Sequence, residues 1–403
     1  MRILSEESYF EFISYAYVDK LFFRIRSILG LFMLLISINI IVGCKHPSSK
    51  SDSNDIISIT IDIQKDKNSF PLSEITEKID IIELETNELS FINKEIQSVH
   101  ILGDFLIVKD ASMCVLVFDM QGNYIRRIGK QGQGPGELFG VLYIQTDPKE
   151  NTIWFWMFNK VAIFDINGNL VHEFIRNELI SYSDYYYYSN GSIFIIQMRD
   201  EKNEKNNFNK EISFLIRNYS NGNYSDNLLD SLPILKYNSE QTDIFKTIFK
   251  HQNQIYMNYS ICCNDEYNYL YVVKNNKFAP FARFLLKSPM RGLVVTERFV
   301  VVTHGNILFN KTQTPKTITP DMMPTLRNQS AEQDFSYYVY DYKTGKNLNS
   351  FHGFIDDIQH TKEIIPINYI DGCDMFFYTV KGEWSEEFKS ELNPTLYIGT
   401  FKK

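Results

Sequence analysis

A repeated segment of 25 residues constrains this chain more than any other feature. The segment FLIVKDASMCVLVFDMQGNYIRRIG begins at Phe105 and NTIWFWMFNKVAIFDINGNLVHEFI begins at Asn151, so the two align without a gap at an offset of 46. Each reads as an apolar strand, a short loop, a second strand, a glycine-containing turn and a third strand, which is the pattern of antiparallel hairpins. A chain that repeats such a unit is expected to assemble a series of small sheets.

Weaker copies of this unit continue to the C-terminus. They lie around 192–224, 254–278, 298–348 and 374–401, which gives six strand pairs at intervals of about 45 to 65 residues. That spacing suits the four-stranded blades of a β-propeller. An aromatic content of 15% favours strands, and no long helical periodicity interrupts them. We therefore predict an all-β fold, a six-bladed β-propeller over residues 56–403.

The ring needs one more strand to close. The segment Thr395–Phe401 reads as the third strand of blade six, which leaves the outer edge of that blade unpaired. An open edge invites aggregation, so a strand from before blade one is expected to fill the place. Two segments are candidates, IISITIDI at 56–63 and IDIIELE at 79–85.

The N-terminal segment resembles the signal of a bacterial lipoprotein. Two arginines precede an apolar run of 15 residues, Ile28 to Val42, which is short for a membrane span and suits a signal peptide. The run leads into Gly-Cys, and this lipobox-like end implies cleavage before Cys44 and lipidation of that residue. We predict a signal peptide over 1–43, a lipidated tether over 44–55 and a protein anchored by lipid in the cell envelope, at the outer membrane or on the periplasmic face. The alternative is a buried apolar segment that happens to end in cysteine.

Residues 1–20 fit this prediction poorly, because they are acidic and aromatic where a signal peptide starts with basic residues. Our hypothesis is that the start codon is assigned too far upstream and that translation begins near Leu21.

Four motifs carry a resemblance to a known group of envelope proteins. They are the Phe-Asp-x-x-Gly turn at 118–122, the Gly-x-Gly-Pro-Gly-Glu connector at 132–137, DIIELET at 80–86 and the closing NPTLYIGTFKK. On these motifs the chain resembles the six-bladed β-propeller lipoproteins of Bacteroidota, which carry NHL-like repeats. The resemblance spans about residues 55–403 and implies the fold and export. It implies little chemistry, because most such proteins lack a known biochemical activity.

A glycine-rich loop, IGKQGQGPGELFG at 128–140, separates the first two repeats. A phosphate-binding loop would need Gly-Lys-Ser/Thr leading into a helix, whereas this loop has Gly129-Lys130-Gln131 and leads into a strand pattern. We therefore interpret it as a connector between blades, in which glycine permits sharp reversals. Glu137 is expected to accept hydrogen bonds from amides of its own turn.

The loops indicate one candidate binding face. In a propeller, the loops between second and third strands share a face with the connectors between blades, and from blade three onwards these loops are long. One of them, 381–394, is predicted to form a short helix. Elaborated loops on a rigid scaffold suggest recognition, and neutral drift is the alternative. We predict ligand binding on this connector-side face, with Trp384 and Trp156 as candidate rings for a glycan or peptide.

The sequence shows no recognisable catalytic or metal-binding motif. Its seven histidines form no HExxH or HxH cluster, and no GxSxG, EF-hand or zinc spacing occurs. Cys114, Cys262, Cys263 and Cys373 are interpreted mainly as buried thiols. We therefore assign no catalytic residue, no metal ligand and no cofactor. A net charge of −8 without basic runs argues against nucleic acid as a partner, and we expect a monomer.

Two function classes remain open. The favoured one is a non-catalytic binding or scaffolding module on a membrane anchor, with a glycan, peptide or protein ligand. The alternative is a metal-dependent hydrolase or lyase of the lactonase-like propeller type, whose ligands would converge on the central channel from three or more blades. The side chains that line the channel distinguish the two classes.

Overall fold

The computed structural model describes residues 56–61, 68–92, 94–175, 185–189, 192–202, 208–220, 223–234, 244–261, 268–274, 277–286, 290–307 and 333–403. The predicted signal peptide, Cys44 and the tether lie outside these residues, as do Cys262 and Cys263. In the described part of the chain the single helical element is a 3₁₀ turn, Leu72–Glu74. None of the helical structure described there is long and apolar enough to span a bilayer.

The strands of the described residues form six blades, five with four strands and one with five. The described chain begins with β1 (Ile57–Ile61) and β2 (Thr76–Glu83). Blade one consists of β3 (Ile96–Leu102), β4 (Phe105–Asp110), β5 (Val115–Asp119) and β6 (Tyr124–Arg127). A short ladder of β7 (Lys130–Gln131) and β8 (Glu137–Leu138) leads to blade two, with β9 (Val141–Asp147), β10 (Thr152–Met157), β11 (Lys160–Asp165) and β12 (Leu170–Ile175).

The longest strands of the described residues lie in blades three to five. Blade three consists of β13 (Tyr185–Ser189), β14 (Ser192–Lys202), β15 (Phe208–Ser220) and β16 (Asn223–Ile234). Blade four consists of β17 (Ile244–His251), β18 (Gln254–Ile261), β19 (Tyr269–Lys274) and β20 (Lys277–Leu286). Blade five consists of β21 (Met290–Val295), β22 (Phe299–Ile307), β23 (Gln333–Asp341) and β24 (Asn347–Phe351).

Blade six takes one of its strands from the start of the domain. It follows a ladder of β25 (Phe354–Ile355) and β26 (Ile364–Ile365) and contains β27 (Asn368–Ile370), β28 (Met375–Val380) and β31 (Thr395–Phe401). Between β28 and β31 the chain forms a hairpin of β29 (Trp384–Ser385) and β30 (Ser390–Glu391). The short helix predicted at 381–394 is therefore wrong, and a two-stranded turn stands in its place. The all-β, six-bladed fold itself is confirmed.

Burial explains why the strand patterns are apolar on both faces near the middle of each blade. All six residues of β10 are buried, whereas the outer strand β6 alternates between half-buried and exposed residues. Each sheet packs face to face against its neighbours. Ile107 and Val117 of blade one, for example, share a core with Phe155 of blade two. A strand between two such interfaces has no solvent face, so it reads as a continuous apolar run.

Both candidate closing segments are used, in different places. Strand β2 pairs antiparallel with β31, Ile82 opposite Leu396, and so completes blade six. Strand β1 pairs parallel with β20 and adds a fifth strand to blade four, where Ile59 is fully buried opposite Phe284. The segment 79–85 therefore closes the ring, as one of the two alternatives predicted.

Residues 68–71, ahead of β2, lie along blade five. The carbonyl of Asn68 accepts a hydrogen bond from the amide of Phe351 at 3.1 Å, and the amide of Phe70 donates to Ser350 Oγ at 2.7 Å. Pro71 then forms a parallel bridge with Ile355. We call β1, residues 68–71 and β2 together the N-terminal strap.

The glycine-rich connector is held by carboxylates of the protein itself. Glu137 accepts a hydrogen bond from the amide of Gly134 at 2.9 Å, which confirms the interaction predicted for it. The amide of Gly136, whose φ is 68°, donates to Glu173 at 2.9 Å. The buried ammonium of Lys160 binds the same Glu173 carboxylate at 2.8 Å and the carbonyl of Gly134 at 2.5 Å. The amides that a phosphate would need are thus engaged, which supports a structural connector.

Candidate functional site

The first strands of all six blades enclose a central channel. Its cavity of about 230 Å³ is far larger than the roughly 10–15 Å³ that a single water needs. One residue from each blade illustrates the lining: His100, Tyr143, Tyr187, Phe249, Leu293 and Tyr369. The wall is mainly aromatic and aliphatic, with a few polar groups, which is the usual composition of a small-molecule site.

The channel continues into a wider mouth of about 470 Å³. The two cavities share Tyr187, Lys250 and the turn Asp371–Cys373. The rim is formed by turns that follow first strands, including Asp147–Lys149 and Gln252–Asn253. In a propeller these turns lie on the face opposite the blade connectors. This mouth is therefore on the opposite face from the one predicted to bind ligand.

Local sequence fixes the shape of this rim. His251 pairs with Gln254 across a two-residue turn, in which Gln252 and Asn253 have φ values of 46° and 64°. Positive φ at both central positions is the requirement of the tight hairpin turn that matches strand twist, and Asn tolerates it well. His251 Nε2 also lies 2.7 Å from Asp374 Oδ1. This contact joins the rims of blades four and six, so two blades that are not consecutive hold the mouth in shape.

The inner strands of blades two and three are joined by a side-chain amide. Gln145 on β9 is buried and accepts a hydrogen bond from the amide of Tyr188 at 2.9 Å. Its own Nε2 donates a hydrogen bond back to the carbonyl of Tyr188. These two hydrogen bonds resemble those that a pair of residues in neighbouring β-strands exchange. Gln145 therefore holds Tyr188 in place beside the mouth.

His100 is the most unusual polar group of the channel. It is 6% exposed, and neither ring nitrogen has a hydrogen-bond partner among the described residues. Burial, together with the charge of Lys109, lowers the pKa of His100 to about 4, so the ring is neutral at pH 7. A neutral imidazole offers one donor and one acceptor, and leaving both unused in a buried site is costly. The ring is therefore available to a polar group that enters the channel.

Acidic groups of the mouth retain protons more tightly than usual. Burial raises the pKa of Asp371 to about 7, against the opposing effect of a hydrogen bond from the Gly372 backbone. Burial, with the nearby charges of Asp371 and Asp374, raises the pKa of the Cys373 thiol to about 11. Perturbed groups gathered in one cleft are typical of functional sites.

The two tryptophans predicted to bind ligand differ in position. Trp384 is 61% exposed on the hairpin between β28 and β31, and its ring nitrogen donates to Glu386 at 3.2 Å. Trp156 is only 2% exposed and stacks between Tyr143 and Trp154, at 5.5 and 5.9 Å. Its ring is part of the core between blades two and three, so Trp156 presents no exposed ring to a ligand. The ring of Trp384, the other candidate, is exposed, and ligand binding by this ring stays a prediction.

The cysteines also depart from expectation. Cys114 and Cys373 are free thiols that are half-buried rather than fully buried, and Cys373 borders both cavities. Within the described ranges no group of three or more His, Cys, Asp or Glu residues is arranged to hold a metal ion.

Sequence reasoning missed the residues that line the channel. It aligned the second and third strands of the blades and named no channel-lining residue on the first strands, which carry His100, Tyr187 and Lys250. The single local signal was the hairpin turn His251–Gln254, whose polar central pair marks the end of a first strand. Nothing in the spacing of these residues reveals that they converge, because each comes from a different blade.

With the geometry in place, the comparisons assign the family. Residues 55–398 match the model of a domain of unknown function, DUF4934. The chain belongs to the DUF4934 family. No curated protein matches the sequence.

The fold of this DUF4934 domain resembles that of one solved structure in particular. A crystal structure of a Bacteroides fragilis protein that is predicted to be exported shares 13% identity and a TM-score of 0.53, and the match covers 86% of this chain and 100% of that one. The WD40 domain of Pan2 from Neurospora crassa shares 11% identity over 77% of this chain and 90% of that one, with a TM-score of 0.37. The WD40 domain of SCAP from fission yeast shares 8% identity over 81% and 91%, with a TM-score of 0.33. At such identities the likeness concerns the fold alone.

Proposed function

We propose that this DUF4934 protein is a non-catalytic binding or scaffolding module of the cell envelope, anchored by lipid on Cys44. The observation that carries the binding function is the channel mouth. A rigid ring of first strands encloses about 230 Å³ of channel below a polar rim, and a buried histidine inside it has no hydrogen-bond partner among the described residues. Concave sites with apolar walls and a few convergent polar groups are the usual form of ligand sites.

A location in the envelope has two supports. One is the lipoprotein-like N-terminal segment ending in Cys44. The other is the likeness to a Bacteroides fragilis protein that is predicted to be exported. In cells fed a clickable fatty acid, the full-length protein is expected to incorporate the label and Cys44→Ala is not. Equal labelling of the two proteins would contradict the anchor.

The candidate ligands are glycans and peptides, and a screen of both classes with the full-length protein tests the binding function. The matched variants are Lys149→Trp, which places a bulky side chain on the exposed rim of the mouth, and Trp384→Ala on the opposite face. We expect Lys149→Trp to weaken binding of a captured ligand and Trp384→Ala to leave it unchanged. The reverse result would place the binding site on the connector-side face. If the screen captured no glycan or peptide, that result would count against a binding function.

A further inference from the structure

Carboxylates act on two acidic groups of the channel mouth, Tyr187 and Cys373. The pKa of Tyr187 is raised well above its usual value by burial and by the charges of Asp371 and Asp147. Asp371 and Asp374 act in the same direction on the Cys373 thiol. Asp371 acts on both groups, so its carboxylate lies close enough to this space to attract a positive charge placed in it.

Asp371 has no cation of its own among the described residues, where the ion pairs join other groups. It lines both cavities and is half-buried. A carboxylate that loses water without gaining a cation is destabilised, and an incoming cation removes that penalty. The ring of Tyr187 borders the same space, and aromatic faces also attract cations.

The channel beneath Asp371 suits an aliphatic chain that ends in a neutral polar group. Its wall includes Tyr143, Phe249 and Leu293, which offer little to a second charge. His100 lines the channel cavity and does not border the mouth. Its two unpartnered ring nitrogens match a hydroxyl, which both donates and accepts a hydrogen bond.

We propose that the channel binds a small aliphatic amine that carries a second, neutral hydrogen-bonding group. Its ammonium pairs with the Asp371 carboxylate beside Tyr187, its alkyl chain lies against the apolar wall, and its polar end reaches His100. This deepens the proposed function by naming a ligand class for the same site, and it rests on that function.

Three probes of similar length test the proposal on the full-length protein. They are 5-aminopentan-1-ol, pentylamine and pentane-1,5-diol, titrated by ligand-observed NMR, with shorter and longer amino alcohols to match the depth of the channel. The amino alcohol is expected to bind at least tenfold more tightly than the diol. A peptide with one lysine and blocked ends, compared with its norleucine counterpart, shows whether a lysine side chain can supply the same ammonium.

Two variants separate the two ends of the ligand. Asp371→Asn is expected to reduce binding of the amino alcohol at least tenfold and to leave the diol unchanged. His100→Leu is expected to remove the advantage of the amino alcohol over pentylamine. Asp104→Asn is the matched control, because Asp104 is an exposed carboxylate on the same face, in the turn between β3 and β4. Melting temperatures establish that each variant is folded.

The pH dependence gives a readout on the unmutated protein. With a pKa of about 7, the ionised fraction of Asp371 rises from about a tenth at pH 6 to about nine-tenths at pH 8, so binding of the amine is expected to tighten about tenfold. The other charged or titratable groups at the mouth are Asp147, Lys149, Tyr187, Lys250, His251, Cys373 and Asp374. Any effect of theirs persists in Asp371→Asn, so the difference between the two proteins isolates Asp371.

Equal affinity for the amino alcohol and the diol would overturn the inference, as would an Asp371→Asn variant that binds the amine normally. Failure of all three probes to bind would also overturn it. In that case a glycan or peptide whose binding is weakened by Lys149→Trp would leave the proposed binding function intact, so the two failures are distinguishable.

Discussion

Asn393 joins the two ends of the propeller, and its removal should be costly. Its Oδ1 accepts a hydrogen bond from the amide of Ile92 at 2.8 Å. Its Nδ2 donates to the carbonyls of Glu85 and Ser90 at 2.8 and 2.9 Å, and the residue is 5% exposed. The side chain thus uses three hydrogen bonds to hold the segment between β2 and β3 against blade six.

The magnitude follows from these bonds. Each contributes about 1 kcal/mol net, and a buried group left without a partner adds to the loss, so Asn393→Ala is expected to destabilise the protein by about 3 kcal/mol. Asn393→Asp keeps the acceptor but turns a carboxylate oxygen towards two carbonyls. Its pKa in the folded state should be raised, so the stability of this variant is expected to fall as the pH rises from 5 to 8.

Urea unfolding measures both effects through the midpoint at constant slope. Asn123→Ala is the control, because Asn123 is an exposed asparagine whose amide bonds Asp119 at 2.8 Å in a surface turn, and a change of about 0.5 kcal/mol or less is expected there. An Asn393→Ala variant as stable as this control would refute the reasoning, because buried hydrogen bonds would then contribute nothing to closure.

Three further predictions concern stability. Trp156→Ala is expected to cost about 3–5 kcal/mol in urea unfolding because the ring is buried, while Trp384→Ala on its exposed hairpin should change the midpoint little; similar losses would contradict their placement. Glu173→Ala should cost about 3–5 kcal/mol, since it leaves the buried ammonium of Lys160 without its carboxylate, and restoration of stability by Lys160→Met in the same chain would identify the cause. The raised pKa of Asp371 means that the folded protein holds this proton more tightly than the unfolded chain, so stability is lost as the pH rises from about 4 to 7; melting curves should show Asp371→Asn stabilising the protein at pH 8 but not at pH 4.

Periodicity made the architecture predictable, because strand pairs and turns are local. The turns after Asp119 and Asp165 show this well. Each aspartate accepts hydrogen bonds from residues within four positions, and Asn123 and Asn169 supply the same contact in both repeats. When all the hydrogen-bond partners of a motif lie within its own turn, its structure can be predicted from the local sequence.

The candidate site escaped prediction because its contacts are not local. His251 and Asp374 are 123 residues apart in the chain and meet at 2.7 Å, and the partner of the glycine loop, Glu173, lies on the outer strand of the next blade. Trp156 shows the same limit. Alternation placed it at the end of a strand, but packing by the neighbouring blade buries both faces of that strand, so position along the strand did not report exposure.

The N-terminal strap decides how the ring responds to a pull on its N-terminus. Force applied ahead of Ile57 reaches the β1–β20 ladder first, then the contacts of residues 68–71 on blade five, and only then β2. Because β1 runs parallel to β20, a pull along the strand axis loads its hydrogen bonds together, in shear, rather than peeling them one by one. The β2–β31 pairing that closes the propeller is thus the last of three attachments to be loaded. The contacts on blades four and five must break before the pull reaches it.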